Sequence, residues 1–121
     1  ARLAARRRTT EDVAGLRAAL ELRTALGPGA GAAFVDADVA LHAAVVAAAH
    51  NPVLTDLFEE FAPVLRSGLV ELVELLDLRR LEDDHGHDAH AALVEAVAGG
   101  DGEAAAQALR VELERTRAHL E

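Results

Sequence analysis

Apolar residues recur at three- and four-residue intervals along nearly the whole chain, and strict alternation is missing, so the pattern predicts helices and no strands. The opening stretch Ala1–Arg8 reads as the tail of a helix whose beginning lies outside this sequence. Thr9 or Thr10 is expected to cap a second helix, with Glu11 and Asp12 in its first turn, where the helix dipole favours negative charge. Val13, Leu16 and Leu20 form its apolar stripe, and Gly27-Pro28-Gly29 ends it. A third helix is expected from about Ala32 to His50, stopped by Asn51-Pro52, with the asparagine taking the left-handed turn. Helical spacing resumes over Val53–Phe61. Pro63 predicts a break or kink before a long stretch from Val64 to about Leu81, in which Leu65, Leu69, Leu72 and Leu76 keep helical register. Asp83-Asp84 is expected to cap the next helix, which ends at Gly99-Gly100, and Asp101 to cap the last, running to about Leu120. Six or so helices joined by short connections predict an all-α antiparallel bundle forming a single domain over residues 1–121.

Composition narrows what such a bundle can do. The chain has no cysteine, which excludes disulfides and thiolate metal sites. A formal net charge of −9 argues against nucleic-acid binding by this segment, because phosphate contacts draw on clustered Lys and Arg. The one basic cluster, Arg2, Arg6, Arg7 and Arg8, is expected to be a solvated helix end or linker. With Phe34, Phe58 and Phe61 as the only aromatic residues, stacking on bases or sugars is poorly supported. No apolar run approaches the roughly 20 residues that span a bilayer, so the expectation is a cytoplasmic protein with no membrane partner. Nucleophilic catalysis has no support either: Ser67 is the single serine, and no glycine-rich phosphate loop follows a strand.

The chemistry that remains is carried by histidine and carboxylate. Asp38 and His42 lie four apart on one helix, so their side chains stack on one face, which Val35, Val45, Val46 and Ala49 mark as partly inward. They either pair with each other or share a metal. His90 precedes Leu93, Val94 and Val97 at helical spacing and also borders the core, as a satisfied core histidine or as a ligand. Two histidines and an aspartate converging from different helices is how metal sites in bundles are built. His85 and His87 fall in the Asp-rich stretch Glu82–Asp88, expected to be a solvated connection, and His50 and His119 lie at helix ends, where a cation suits the dipole. Arg66 is in register with Ala62, Val70 and Val73. It is either an inward cation able to hold an anionic ligand or a solvated arginine with a buried stem.

The order of these pieces resembles the FadR C-terminal (FCD) effector domain of GntR-family bacterial transcription regulators. The resemblance lies in Asp38-Val39-Ala40-Leu41-His42 followed by His50-Asn51-Pro52-Val53-Leu54, then His90-Ala91-Ala92-Leu93-Val94 leading to Gly99-Gly100-Asp101, and in the entry Arg8-Thr9-Thr10-Glu11-Asp12. It covers essentially the whole chain. It implies a metal-binding sensor whose ligands are Asp38, His42 and His90, with a fourth from the last helix. That fourth position, normally a histidine before a leucine, is Glu112 followed by Leu113 here. A carboxylate in place of imidazole makes the site more negative by one charge and weakens a bound ion's pull on an anionic effector. His87, one turn before His90, is the alternative fourth ligand, and a metal-free site is another. The resemblance further implies a divalent ion (Zn, Ni, Mn or Fe), a small carboxylic acid as effector, a homodimer, and DNA binding through a winged helix-turn-helix absent from this chain; Arg66, from its register alone, is the candidate cation beside that effector. Two other readings stay open from the residues alone: a metal-dependent helical-bundle enzyme, and a structural dimerisation bundle with no ligand.

Overall fold

The computed structural model describes residues 1–75 and 87–120, so the expected cap at Asp83-Asp84, the helical spacing beyond residue 75 and His85 lie outside the described residues. Among the described residues there are six α-helices and no strand: α1 (Arg2–Arg7), α2 (Thr10–Leu26), α3 (Ala32–Ala48), α4 (Pro52–Leu75), α5 (His87–Ala98) and α6 (Gly102–Leu120), with a short 3-10 turn over Pro28–Ala30. The all-α expectation holds.

Local chemistry sets most of the boundaries. Thr9 is the N-cap of α2 in extended geometry, and its hydroxyl accepts a hydrogen bond from the Asp12 amide at 3.1 Å. The Asp12 carboxylate accepts one from the Thr9 amide at 2.8 Å, which completes a capping box. Gly27, at φ 67°, ends α2 in a conformation that an L side chain would strain. α5 ends in a Schellman turn, with the Asp101 amide donating to the Ala96 carbonyl at 2.9 Å and the Gly100 amide to Val97 at 3.1 Å. Asp101 then caps α6 by accepting from the Ala104 amide at 3.0 Å.

Two boundaries differ from the sequence expectation. At the end of α3 it is His50, at φ 50°, that takes the left-handed conformation. Asn51 instead caps the following helix, its side-chain oxygen accepting from the Val53 and Leu54 amides at 3.0 and 3.3 Å, with Pro52 at the first helical position. Pro63 does not break the chain: α4 runs through it from Pro52 to Leu75. A proline removes one backbone donor, leaving the Glu59 carbonyl without its helical partner. Both residues are exposed, where water can take that bond.

α3 is central, packing against α1, α2 and α4, while α5 packs on α6, α2 and α1. The core is Leu, Val and Ala: Ala4, Ala5, Leu16, Leu41, Ala48, Leu93, Val94, Val97 and Ala105 are buried to within 0% exposure. Small residues on α1, α3 and α6 let the helices approach closely, which a core with few aromatics requires. Asp38 and His42 sit on α3 at the edge of this cluster, His90 lies on the buried face of α5, and Glu112 continues the stripe of Ala105, Ala108 and Leu109 on α6.

Candidate metal centre

Each of the four side chains is brought inward by the helix that carries it. Asp38 and His42 follow Phe34 and precede Val45 on the buried side of α3, and His90 is three residues before Leu93 on α5. Glu112 stands seven residues, two turns, beyond fully buried Ala105 on α6. Side-chain exposure is 13% for Asp38, 16% for His42, 4% for His90 and 13% for Glu112, so the group is largely withdrawn from water.

The donor atoms converge. The His90 Nε2 atom lies 2.8 Å from Asp38 Oδ1, 3.0 Å from Glu112 Oε1 and 3.2 Å from His42 Nε2. His42 Nε2 is 2.9 Å from Glu112 Oε1 and 3.8 Å from Asp38 Oδ2. One ligand atom from each of the four residues falls within 4.8 Å of every other. Ligands about 2.0–2.1 Å from a shared ion stand roughly 3 Å apart, which is the spacing seen here. His90 Nε2 thus faces two carboxylate oxygens and the second imidazole nitrogen at once, a convergence of the kind able to hold a cation. The donor set of two imidazoles and two carboxylates suits a first-row divalent ion.

The charges in the cluster perturb one another strongly. Burial works to raise the Asp38 and Glu112 pKa values, but the two histidines outweigh it. Asp38 is held well below the carboxylate range, helped by Arg23, and Glu112 falls to about 2. Burial works to lower His90, yet its hydrogen bonds to Asp38 and Glu112, with their charges, push it up to about 9.

Arg23 is the site residue that the sequence reading missed. It lies on α2, is 4% exposed, and donates from Nε to Asp38 Oδ1 at 2.7 Å while its guanidinium covers the Phe34 ring 4.5 Å from the centroid. The available signal was its place three residues after Leu20 and seven after Leu16, on the apolar stripe of α2. Arg66, expected to face inward, is not brought into this group. It is 47% exposed and its guanidinium bonds the Asp36 carboxylate, so its charge is already engaged at the surface. His87 is likewise directed elsewhere, its Nδ1 lying 3.2 Å from the Thr24 hydroxyl. The basic cluster of the first helix does more than face solvent. Arg7 donates to the Ala49 and His50 carbonyls at the end of α3, and Arg8 donates to the Ala98 carbonyl at the end of α5.

Among the described residues the chain is an all-α bundle with a largely buried group of two histidines and two carboxylates that could hold a metal ion. The FCD domain family profile matches residues 1–115, and the chain belongs to that family. It is therefore an effector domain of a GntR-type transcription regulator. No curated protein matches the chain. Among the described residues, no helix is long and apolar enough to cross a membrane.

Proposed function

We propose that this domain is a metal-dependent sensor: Asp38, His42, His90 and Glu112 hold one divalent ion, and a small carboxylic acid binds at that centre to modulate DNA binding by a winged helix-turn-helix elsewhere in the regulator. The observation that carries the reading is the convergence of four ligand atoms from α3, α5 and α6 within 4.8 Å of one another. Zn, Ni, Mn and Fe all fit the donor set. The ion, when bound, supplies a Lewis-acidic position for an anionic ligand, and the residues of the chain orient it and shield it from water. Cytoplasmic location follows from the regulator's role on DNA. The domain works as a binder, with no turnover.

Homodimerisation is part of the same proposal. α4 carries Val53, Leu54, Leu57, Phe61 and Val64 at 66%, 41%, 58%, 53% and 67% exposure, an apolar stripe at helical spacing with no cover among the described residues. A second copy covering this stripe, the helix paired across a two-fold axis, would remove it from water.

Elemental analysis of protein purified without chelator or histidine tag tests the reading. One divalent ion per chain is expected, with a further rise in melting temperature on adding carboxylic acids. Protein that arrives metal-free, and that neither retains nor gains stability from added Zn, Ni, Mn or Fe, would overturn it.

A further inference from the structure

Among the described residues α3 and α5 each pack on α1 and α2 rather than closely on each other, although His42 and His90 bring their Nε2 atoms to 3.2 Å across the space between them. The separation of these two helices therefore depends on what joins them. At their C-terminal ends the joint is a pair of adjacent arginines. Arg7 donates from Nη1 to the Ala49 and His50 carbonyls at the end of α3, both at 3.3 Å, and Arg8 donates from Nε to the Ala98 carbonyl at the end of α5 at 3.2 Å. Carbonyls in the last turn of a helix lack a partner within it, so they are open to such donors. His42 stands eight residues before His50, and His90 eight before Ala98, so both ties lie about 12 Å along the helix axes from the imidazoles. The two helices are thus cross-linked at two matching levels, by the His and carboxylate cluster and by Arg7 with Arg8.

The arginine tie is itself firmly seated. Ala4 and Ala5, one turn earlier, are fully buried, and α1 packs against α3, α5 and α6, the three helices that carry the four candidate ligands. The Arg8 guanidinium rests on Gly100, where a Cβ would lie 3.0 Å from Nη2 and 3.1 Å from Cζ. Gly100, at φ 73°, belongs to the turn joining α5 to α6, whose arms bear His90 and Glu112. Glycine there serves both the left-handed turn and the close approach of Arg8.

We propose that Arg7 and Arg8 are positioning residues for the metal centre: by tying the ends of α3 and α5, and by seating the turn at Gly100, they set the spacing at which Asp38, His42, His90 and Glu112 converge. This rests on the metal reading above and adds the element that fixes its geometry. A ligand set holds an ion well only when its supporting structure keeps it within about 0.5 Å of the productive arrangement. Neither arginine belongs to the group of ligand atoms, so both act through the helices they join.

The test titrates the chain with cobalt(II), whose visible absorption reports both affinity and coordination geometry, while circular dichroism reports the fold. Arg7→Met combined with Arg8→Met removes the donated bonds and keeps two unbranched stems. It should weaken cobalt binding about tenfold, within the usual range for coupled sites in one domain, and shift the visible bands. Arg7→Lys combined with Arg8→Lys keeps cationic donors beside the same helix ends and should recover most of the affinity. Thr9→Ala is the control: it removes the neighbouring cap of α2 and leaves the tie, so it should melt earlier yet bind cobalt as the unaltered chain does. A folded methionine variant with unchanged cobalt affinity and spectrum would overturn the positioning role while leaving the metal centre standing. Equal weakening in Thr9→Ala would overturn it as well, assigning the loss to general destabilisation. Unaltered chain that takes up no cobalt removes the metal reading itself, and this inference with it. Should the double methionine variant fail to fold, Arg8→Met alone decides: cobalt affinity should fall severalfold, and an unchanged value refutes the proposal.

Discussion

His42 touches both carboxylates and the other imidazole, so it is the residue whose loss most directly dismantles the centre. His42→Ala is expected to abolish metal content while leaving the fold, because the core cluster begins one residue away at Leu41 and does not include it. A variant that still carries one ion per chain would exclude His42 as a ligand. His90 sets a second expectation. Its pKa of about 9 in the metal-free protein means it is protonated at pH 7, and a ligating imidazole must be neutral. Metal uptake near pH 7 should therefore release a proton, seen as a calorimetric binding enthalpy that varies with the ionisation enthalpy of the buffer. The sign for stability follows. A raised histidine pKa stabilises the metal-free fold fully below about 6.5 and loses that contribution as pH rises through about 9. Buffer-independent enthalpy would show that His90 carries no proton to displace.

At the scale of elements, the N-terminus of α2 is tied to the end of α3. Thr9 and Asp12 close the capping box, and Asp12 Oδ2 also lies 2.6 Å from His50 Nε2 at the end of α3. Thr9→Ala should cost about 1 kcal/mol in a urea unfolding experiment, the usual cost of losing a cap hydroxyl. Asp12 carries a pH signature. Slight burial works to raise its pKa, but the Thr9 amide, His50 and the Thr9 hydroxyl outweigh it, so the carboxyl is depressed below its ordinary value. A depressed carboxyl contributes stability above its unfolded pKa, about 3.9, and loses it as pH falls through the folded value. The stability difference between the unaltered chain and Asp12→Asn should therefore be present at pH 6 and shrink toward pH 2. A difference independent of pH would assign the effect to hydrogen bonding alone.

At the scale of the whole molecule, the exposed stripe on α4 is the feature a lone copy leaves unexplained. Leu57→Glu and Phe61→Glu place charges at its middle, where Leu57 is 58% and Phe61 53% exposed. Neither is buried in the core, so both variants should fold. Light scattering should give a dimer for the unaltered domain at micromolar concentration and a monomer for the double variant, since burying an unpaired carboxylate in an apolar interface is strongly unfavourable. Equal masses for the two proteins would free α4 from that role.

By itself the sequence determined the class of fold, because helical periodicity, caps and glycine stops act over a few residues: Thr9, Gly27, Gly99-Gly100 and Asp101 all mark real boundaries. It also marked Asp38, His42 and His90 as polar residues on partly inward helical faces, while Glu112 joined them only through the resemblance to the FCD domain. Tertiary structure decided what depends on partners distant in the chain. Arg23 meets Asp38 fifteen residues on, and its burial follows from α2 packing on α3, whereas Arg66, with an equally inward-looking register, lies on a helix without a buried residue among those described and pairs with Asp36. Pro63 reads as a stop by local rules but sits where water replaces the missing bond. Arg7 and Arg8, a basic cluster in the sequence, become caps for α3 and α5 because the fold sets the ends of those helices beside them. Local signals specify conformation, and only the packing of helices against one another specifies which charge meets which.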